Sequence, residues 1–384
     1  TKMAQKISTC TYEFIVSKKN IEALNEKNTS VPYKICSFDI EASSSHGDFP
    51  IPKKTYKYLA NNIFEKIEKH QESLEDYLKE SILSAFGFKT LSHIKCVYTK
   101  TKFDENHINT CIENIMNYKI NSYDDVKEEE VDTLFSYMKS LRSYEDDEEE
   151  YEFKSTKKKR KSNIISILEN TKIEKSEKIE MLDKILTLKL PSLEGDKVTF
   201  IGSTFLNYGE KKPYLNHCIV LNSCEPIENG ENSEIETYDT EKKVLCAWTK
   251  LIRKENPDII IGYNIFGFDY QFMFIRSKEN YCTEEFLQLS RIKNQVCAEY
   301  DKEGRAKIKN SSIVIASGQH DLNFIEMTGR LQIDLYNYFR RDFSLTSYKL
   351  DYVSGYFIGD NIIKIENKNG QSICYSKNLL GLYV

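Results

Sequence analysis

The chain has 384 residues, 40% of them hydrophobic, enough to bury a real core in one large domain or in two to three ordinary ones. Fifty-nine acids against 54 bases leave a net charge of −5, the wrong sign for a module that grips DNA by charge alone and better suited to a site that gathers carboxylates around metal ions. No apolar run reaches the ~18 residues that span a bilayer, the first ten residues lack a secretory apolar core, and the ten scattered cysteines form no CxxC pair, so membrane insertion, export, a zinc site and a disulfide framework are not indicated and a reducing compartment is expected.

In chain order, residues 33–41 (YKICSFDIE) read as a strand with Cys36, Phe38 and Ile40 on one face and Ser37, Asp39 and Glu41 on the other. A polar loop, Ala42–Gly47, leads to Phe49-Pro50. Tyr58 to Phe86 then shows helical spacing through Leu59, Ile63, Ile67, Leu74 and Leu78. From about 97 to 190 the pattern weakens into an insertion, with an acidic run at 145–152, a basic run at 157–161 (KKKRK) and amphipathic stretches from 164 to 190. Residues 143–162 are expected to be poorly ordered, and the basic run is read as a solvated counterpart to the acidic one rather than a localisation or phosphate-binding patch. Residues 197–207 and 213–222 predict a hairpin across a polar YGEKK turn. A helix follows, capped by Thr240, with Val244, Leu245, Trp248, Leu251 and Ile252 inward, and stopped at Asn256-Pro257. Residues 258–263 then predict a short, fully buried strand running into a helix with Phe268, Phe272 and Ile275 on its core side. The fold class is α/β, a mixed sheet flanked by helices, with a helical insertion.

Two constellations carry chemistry. In Asp39-Ile40-Glu41 the strand's alternation projects both acids together, where they can share or bridge hard cations. Alone, such a triplet is commonly just solvated. In Asn264-Ile265-Phe266-Gly267-Phe268-Asp269 a strand ends, the chain turns and an acid enters the first turn of a helix, a position the helix dipole would favour for capping alone. Together the two can bring three carboxylates and an amide to one edge of a sheet.

At these residues the chain resembles the family B DNA polymerases, most closely those of large DNA viruses of eukaryotes. CSFDIEASSSHGDFP is similar to their first exonuclease motif, PDIIIGYNIFGFDYQFM to the second, and GRLQIDLYNYFRRDFSLTSYKLDYVSGYFIGD to the segment that follows, all in family order. Residue 267 is Gly where many members have Asn. The resemblance implies a ribonuclease H-like 3′ to 5′ exonuclease fold in residues 33–384, with residues 1–32 ending the polymerase N-terminal domain. It implies Asp39, Glu41 and Asp269 as catalytic metal ligands, two Mg²⁺ ions replaceable by Mn²⁺, and Asn264, Phe49 and Phe268 as substrate-binding residues. It also implies, as partners, the single-stranded primer 3′ end of DNA, the rest of the polymerase and a sliding-clamp processivity factor, at a viral replication site in the host cytoplasm or nucleus.

The family's third motif, a Tyr followed four residues later by the fourth acid, is expected beyond Val384. Tyr338 and Asp342 match its spacing but sit in the upstream block, so the match is taken as accidental, and Asp334 is read as a structural acid. With three of four acids, the chain is expected to be nearly inactive by itself. Two alternatives stand beside the proofreading reading: a catalytically incomplete nucleic-acid-binding module of the polymerase, and a stand-alone nuclease of the same four-acid type.

Overall fold

The computed structural model describes residues 6–29, 31–119, 163–226, 230, 232–315, 318–359, 362–368 and 371–376. The two charge runs and the expected disorder at 143–162 lie outside these. The chain divides into two compact units, residues 1–41 with 199–384, and residues 42–198. In chain order the strands are β1 (Lys34–Ser43), β2 (Lys197–Asn207), β3 (Leu215–Leu221), β4 (Ser233–Tyr238), β5 (Ile259–Gly262), β6 (Glu299–Tyr300), β7 (Ala306–Lys307), β8 (Lys309–Ile315), β9 (Gly318–Phe324), β10 (Leu331–Asp334), β11 (Ile362–Lys368) and β12 (Gln371–Ser376). The helices are α1 (Lys57–Lys66), α2 (Leu74–Ala85), α3 (Glu105–Met116), α4 (Ile164–Glu169), α5 (Lys175–Lys189), α6 (Glu241–Glu255), α7 (Asp269–Glu279), α8 (Thr283–Phe286), α9 (Leu335–Asp342) and α10 (Leu350–Phe357).

The first unit is built on a six-stranded mixed sheet in the order β10-β5-β1-β2-β3-β4. β5 lies parallel to both β1 (Ser37 opposite Ile261) and β10 (Asp334 opposite Gly262), so three strands run side by side in one direction, β5 and β10 ending level while β1 runs on to Ser43. β2 and β3 form the expected antiparallel hairpin, with Ser203 opposite His217, and β4 adds a parallel edge. The alternation in β1 holds: Cys36, Phe38 and Ile40 are buried, while Asp39 and Glu41 are exposed. The apolar face meets two helices, the Phe38 ring lying 4.9 Å from Trp248 and 5.4 Å from Tyr270.

α6 buries Val244, Leu245, Trp248, Leu251 and Ile252, as its spacing predicts. Thr240 occupies the N-cap position without making a capping hydrogen bond, and the helix stops where Asn256 turns left-handed (φ 54°) ahead of Pro257. α7 differs from the sequence expectation. Phe268 and Ile275 are only half-buried, whereas Tyr270, Phe272, Met273 and Phe274 are all inside, because this helix is enclosed on nearly every side. Its Arg276 is enclosed too: Nε and Nη2 donate to the Glu241 carboxylate at 2.9 and 2.7 Å and Nη1 donates to Glu279 at 2.6 Å. β5 is half-buried rather than fully buried.

Residues 42–198 have a core of their own. Leu59, Ile63 and Phe64 of α1, Leu78 and Ile82 of α2, Ile108 and Ile112 of α3, and Leu182 and Leu186 of α5 belong to one buried cluster. The apolar period expected as one stretch from 58 to 86 is two α-helices joined by a 3₁₀ segment, Ile67–Ser73, where KHQES offers no apolar residue to continue the stripe.

Candidate functional site

The site forms where β1 and α7 meet. Asp39 sits on the exposed face of β1, and Asp269 is the first residue of α7 and 2% exposed. The Ile40 N–H lies between their carboxylates, donating to Asp39 Oδ1 at 3.0 Å and to Asp269 Oδ1 at 3.3 Å. That single N–H brings the two carboxylates together at one point of the rim. Burial, then the charge of Asp39 beside it, pushes the Asp269 carboxyl well above the usual carboxylate range, and desolvation raises Asp39. Two neighbouring carboxylates whose charges repel in a partly buried place form a donor set to which a cation is well suited, since its charge would cancel the repulsion. The pair therefore fits a hard metal ion. Glu41 stands exposed on the same face two residues on, but among the described residues no group of three potential ligand side chains is assembled.

The turn between β5 and α7 brings Asp269 to Asp39. Gly262 ends the strand, where a Cβ would lie 2.3 Å from Ile265 Cγ2 and 3.0 Å from the Phe38 carbonyl oxygen. Asn264 is left-handed (φ 62°), a conformation Asn tolerates better than most residues, and its carbonyl accepts from the Gly267 and Phe268 N–H groups at 3.0 and 2.9 Å. The space above Gly267 holds the Asn264 amide: a Cβ at 267 would lie 2.3 Å from Asn264 Oδ1. Phe268 is half-buried, its ring 5.2 Å from that of Phe272. Phe49, in the unit of residues 42–198, is 59% exposed.

One participant escaped the sequence reading in its reach, though not in its kind. Asp334, 4% exposed, caps α9 through the Tyr336 N–H at 2.9 Å, as a structural acid of its own block would. It also accepts from the Asn264 N–H at 2.8 Å and the Phe266 N–H at 3.0 Å, within the turn that delivers Asp269. The available signal was an Asp closing a short strand, LQID, directly before a helix. Asp342 is exposed and paired with Arg341 at 2.7 Å.

The family described as DNA polymerase family B, exonuclease domain, matches residues 178–353, which include Asn264, Phe268 and Asp269 but not β1. The DNA polymerase of Phaeocystis pouchetii virus is 43% identical over 409 aligned residues, covering 100% of this chain and 39% of that protein. The DNA polymerase of Pyramimonas orientalis virus is 31% identical over 374 residues, covering 94% and 28%. The DNA polymerase delta catalytic subunit of Oryza sativa subsp. japonica is 33% identical over 171 residues, covering 44% and 14%. The chain thus spans well under half the length of these relatives.

Proposed function

Through residues 178–353 the chain belongs to the family B DNA polymerases, as part of their exonuclease domain, and on that premise we propose that the Asp39–Asp269 rim is the centre of a 3′ to 5′ exonuclease that removes nucleotides from the primer end of DNA during replication. One observation carries the reading: two carboxylates far apart in sequence, Asp39 and Asp269, meet at the sheet rim, where the Ile40 N–H donates to both.

In this reading Asp39, Glu41 and Asp269 hold divalent ions, two Mg²⁺ for which Mn²⁺ can substitute. The chemistry such ions supply when bound is activation of the attacking water and stabilisation of the leaving 3′ oxygen. The chain's own residues do the rest. The Ile40 N–H orients both acids, Asn264 lies against the terminal nucleotide, and Phe268 and Phe49 stack on bases, a contact worth about 1–3 kcal/mol per base. Residues 1–32 end the N-terminal domain and 33–384 supply the ribonuclease H-like exonuclease, with an insertion at about 97–190. The partners are the primer strand, the remainder of the polymerase and a sliding clamp, at a viral replication site in the host cytoplasm or nucleus.

The test is digestion of a 3′-labelled single-stranded oligonucleotide by the polymerase containing these residues, in Mg²⁺ or Mn²⁺. Asp39→Ala should abolish it; equal digestion by parent and variant refutes the assignment. A second reading is a nucleic-acid-binding module of the polymerase without hydrolysis. That reading predicts identical Mn²⁺-induced thermal shifts in the parent and Asp39→Ala.

A further inference from the structure

Asp334 lies at the far edge of the sheet's parallel strands, opposite Gly262, and its carboxylate is fully used. Oδ1 accepts from the Asn264 N–H at 2.8 Å and the Tyr336 N–H at 2.9 Å; Oδ2 accepts from the Phe266 N–H at 3.0 Å and Asn337 Nδ2 at 3.1 Å. A carboxylate offers about four lone-pair sites, and here four donors fill them. Nothing is left to bind a cation, so Asp334 is no metal ligand despite its nearness to the turn.

We infer that Asp334 is a positioning residue: it fixes the 264–268 turn and through it sets where the Asn264 amide and the Asp269 carboxyl stand. The turn needs such a clamp. Asn264 is held left-handed, which costs a non-glycine residue, and the turn's outward N–H groups at 264 and 266 would otherwise be unsatisfied in a part-buried place. Asp334 satisfies both with one rigid group. Because the Asn264 carbonyl holds the Gly267 and Phe268 N–H groups, and Asp269 follows at once as the first residue of α7, a shift at Asn264 passes directly to the acid that meets Asp39. Gly267 completes the device by leaving room for the Asn264 amide. The link to metal binding rests on the carboxylate-pair reading above; the link to the turn does not.

The experiment compares the 384-residue chain with Asp334→Asn, and with Asp342→Asn as a control on an exposed acid of the same helix. Two readouts are taken: hydrogen exchange at the Asn264 and Phe266 amides, and Mn²⁺ affinity by titration. Asp334→Asn turns one acceptor into a donor aimed at N–H groups. Exchange at both amides should quicken about tenfold or more and the Mn²⁺ Kd should rise about tenfold, as loosening of a supporting group does to a site; the control should match the parent. If Asp334→Asn does not fold, Asn337→Ala removes only one donor, and it should quicken exchange at Phe266, which shares Oδ2, more than at Asn264. Unchanged exchange overturns the inference, as does quickened exchange with an unchanged Kd, which would make Asp334 structural only. If the parent shows no Asp39-dependent Mn²⁺ binding, the carboxylate-pair reading fails instead, and exchange at the two amides still decides whether Asp334 holds the turn.

Discussion

Arg276→Met tests how α7, the helix that begins with Asp269, is anchored. Arg276 is 1% exposed and its partner Glu241 is 4% exposed; three hydrogen bonds of 2.6–2.9 Å join it to Glu241 and Glu279. Met fills most of the volume but removes every donor, leaving the Glu241 carboxylate buried with Asn280 Nδ2, 2.7 Å away, as its remaining hydrogen-bond donor of this group. Stranding one partner of a buried pair costs about 3–5 kcal/mol, and apolar packing by Met offsets about a third of that, so a net loss of about 2–3 kcal/mol is expected. In a domain of this size that lowers Tm by roughly 4–12 °C. Urea unfolding followed by Trp248 fluorescence reads it directly, since Trp248 is fully buried on the neighbouring helix. The double variant Arg276→Met/Glu241→Met should recover most of the loss, because the fully buried Glu241 charge is removed with its partner while the Glu279 carboxylate keeps some solvent exposure. A single-variant loss below about 1 kcal/mol, or a double variant worse than the single, would refute the argument.

Other outcomes follow from the same contacts. Asp39 and Asp269 both have raised folded-state pKa values, so their contribution to stability is fully present below pH ~4 and is lost as pH rises through the folded values; Asp269→Asn should flatten that decline in metal-free thermal melts and erase the stabilisation Mn²⁺ gives the parent at pH 7. Asp183, pushed up to about 6 by burial, behaves alike in the other unit: stability should fall between pH 4 and 6 by on the order of 2 kcal/mol, and Asp183→Asn should remove that slope in pH-dependent urea titrations. Gly262→Ala sets a methyl against Ile265 and the Phe38 carbonyl and should cost about 1–3 kcal/mol by urea unfolding. Gly267→Ala meets only the far end of the Asn264 side chain, so it should leave Tm within about 2 °C while raising the KM for a 3′-ended oligonucleotide.

The elements of the site were legible because each rests on a local rule. Alternation in CSFDIE separated the buried Phe38 from the exposed Asp39, and the strand-turn-helix of IIIGYNIFGFD placed Asp269 at a helix start. What was not legible depends on long-range pairing. β10 has four residues, too few to show a period, so nothing in LQID revealed that it lies beside β5 or that Asp334 reaches back to Asn264. β4 was hidden because its outward glutamates, Glu234 and Glu236, look like loop composition. Phe268 was assigned to the core by helical spacing from Phe272, but it precedes the helix in a non-helical conformation (φ −133°), where that spacing does not apply.

The shared register of β1, β5 and β10 also predicts where this protein can tolerate changes in length. Side chains on a strand alternate with period two, so one residue added upstream of Asp39 within β1, or of Asp334 within β10, would turn that acid to the opposite face of the sheet. No compensating shift is open to it, because Ser37 and Ile261, and Asp334 and Gly262, are locked in step by the shared neighbour β5. Beyond the acids the constraint vanishes. After Ser43 the chain has already delivered Asp39 and Glu41, and residues 42–198 form a compact unit of their own before the sheet resumes at β2. Insertions and deletions among relatives should therefore crowd immediately downstream of the acids and be nearly absent for several residues upstream.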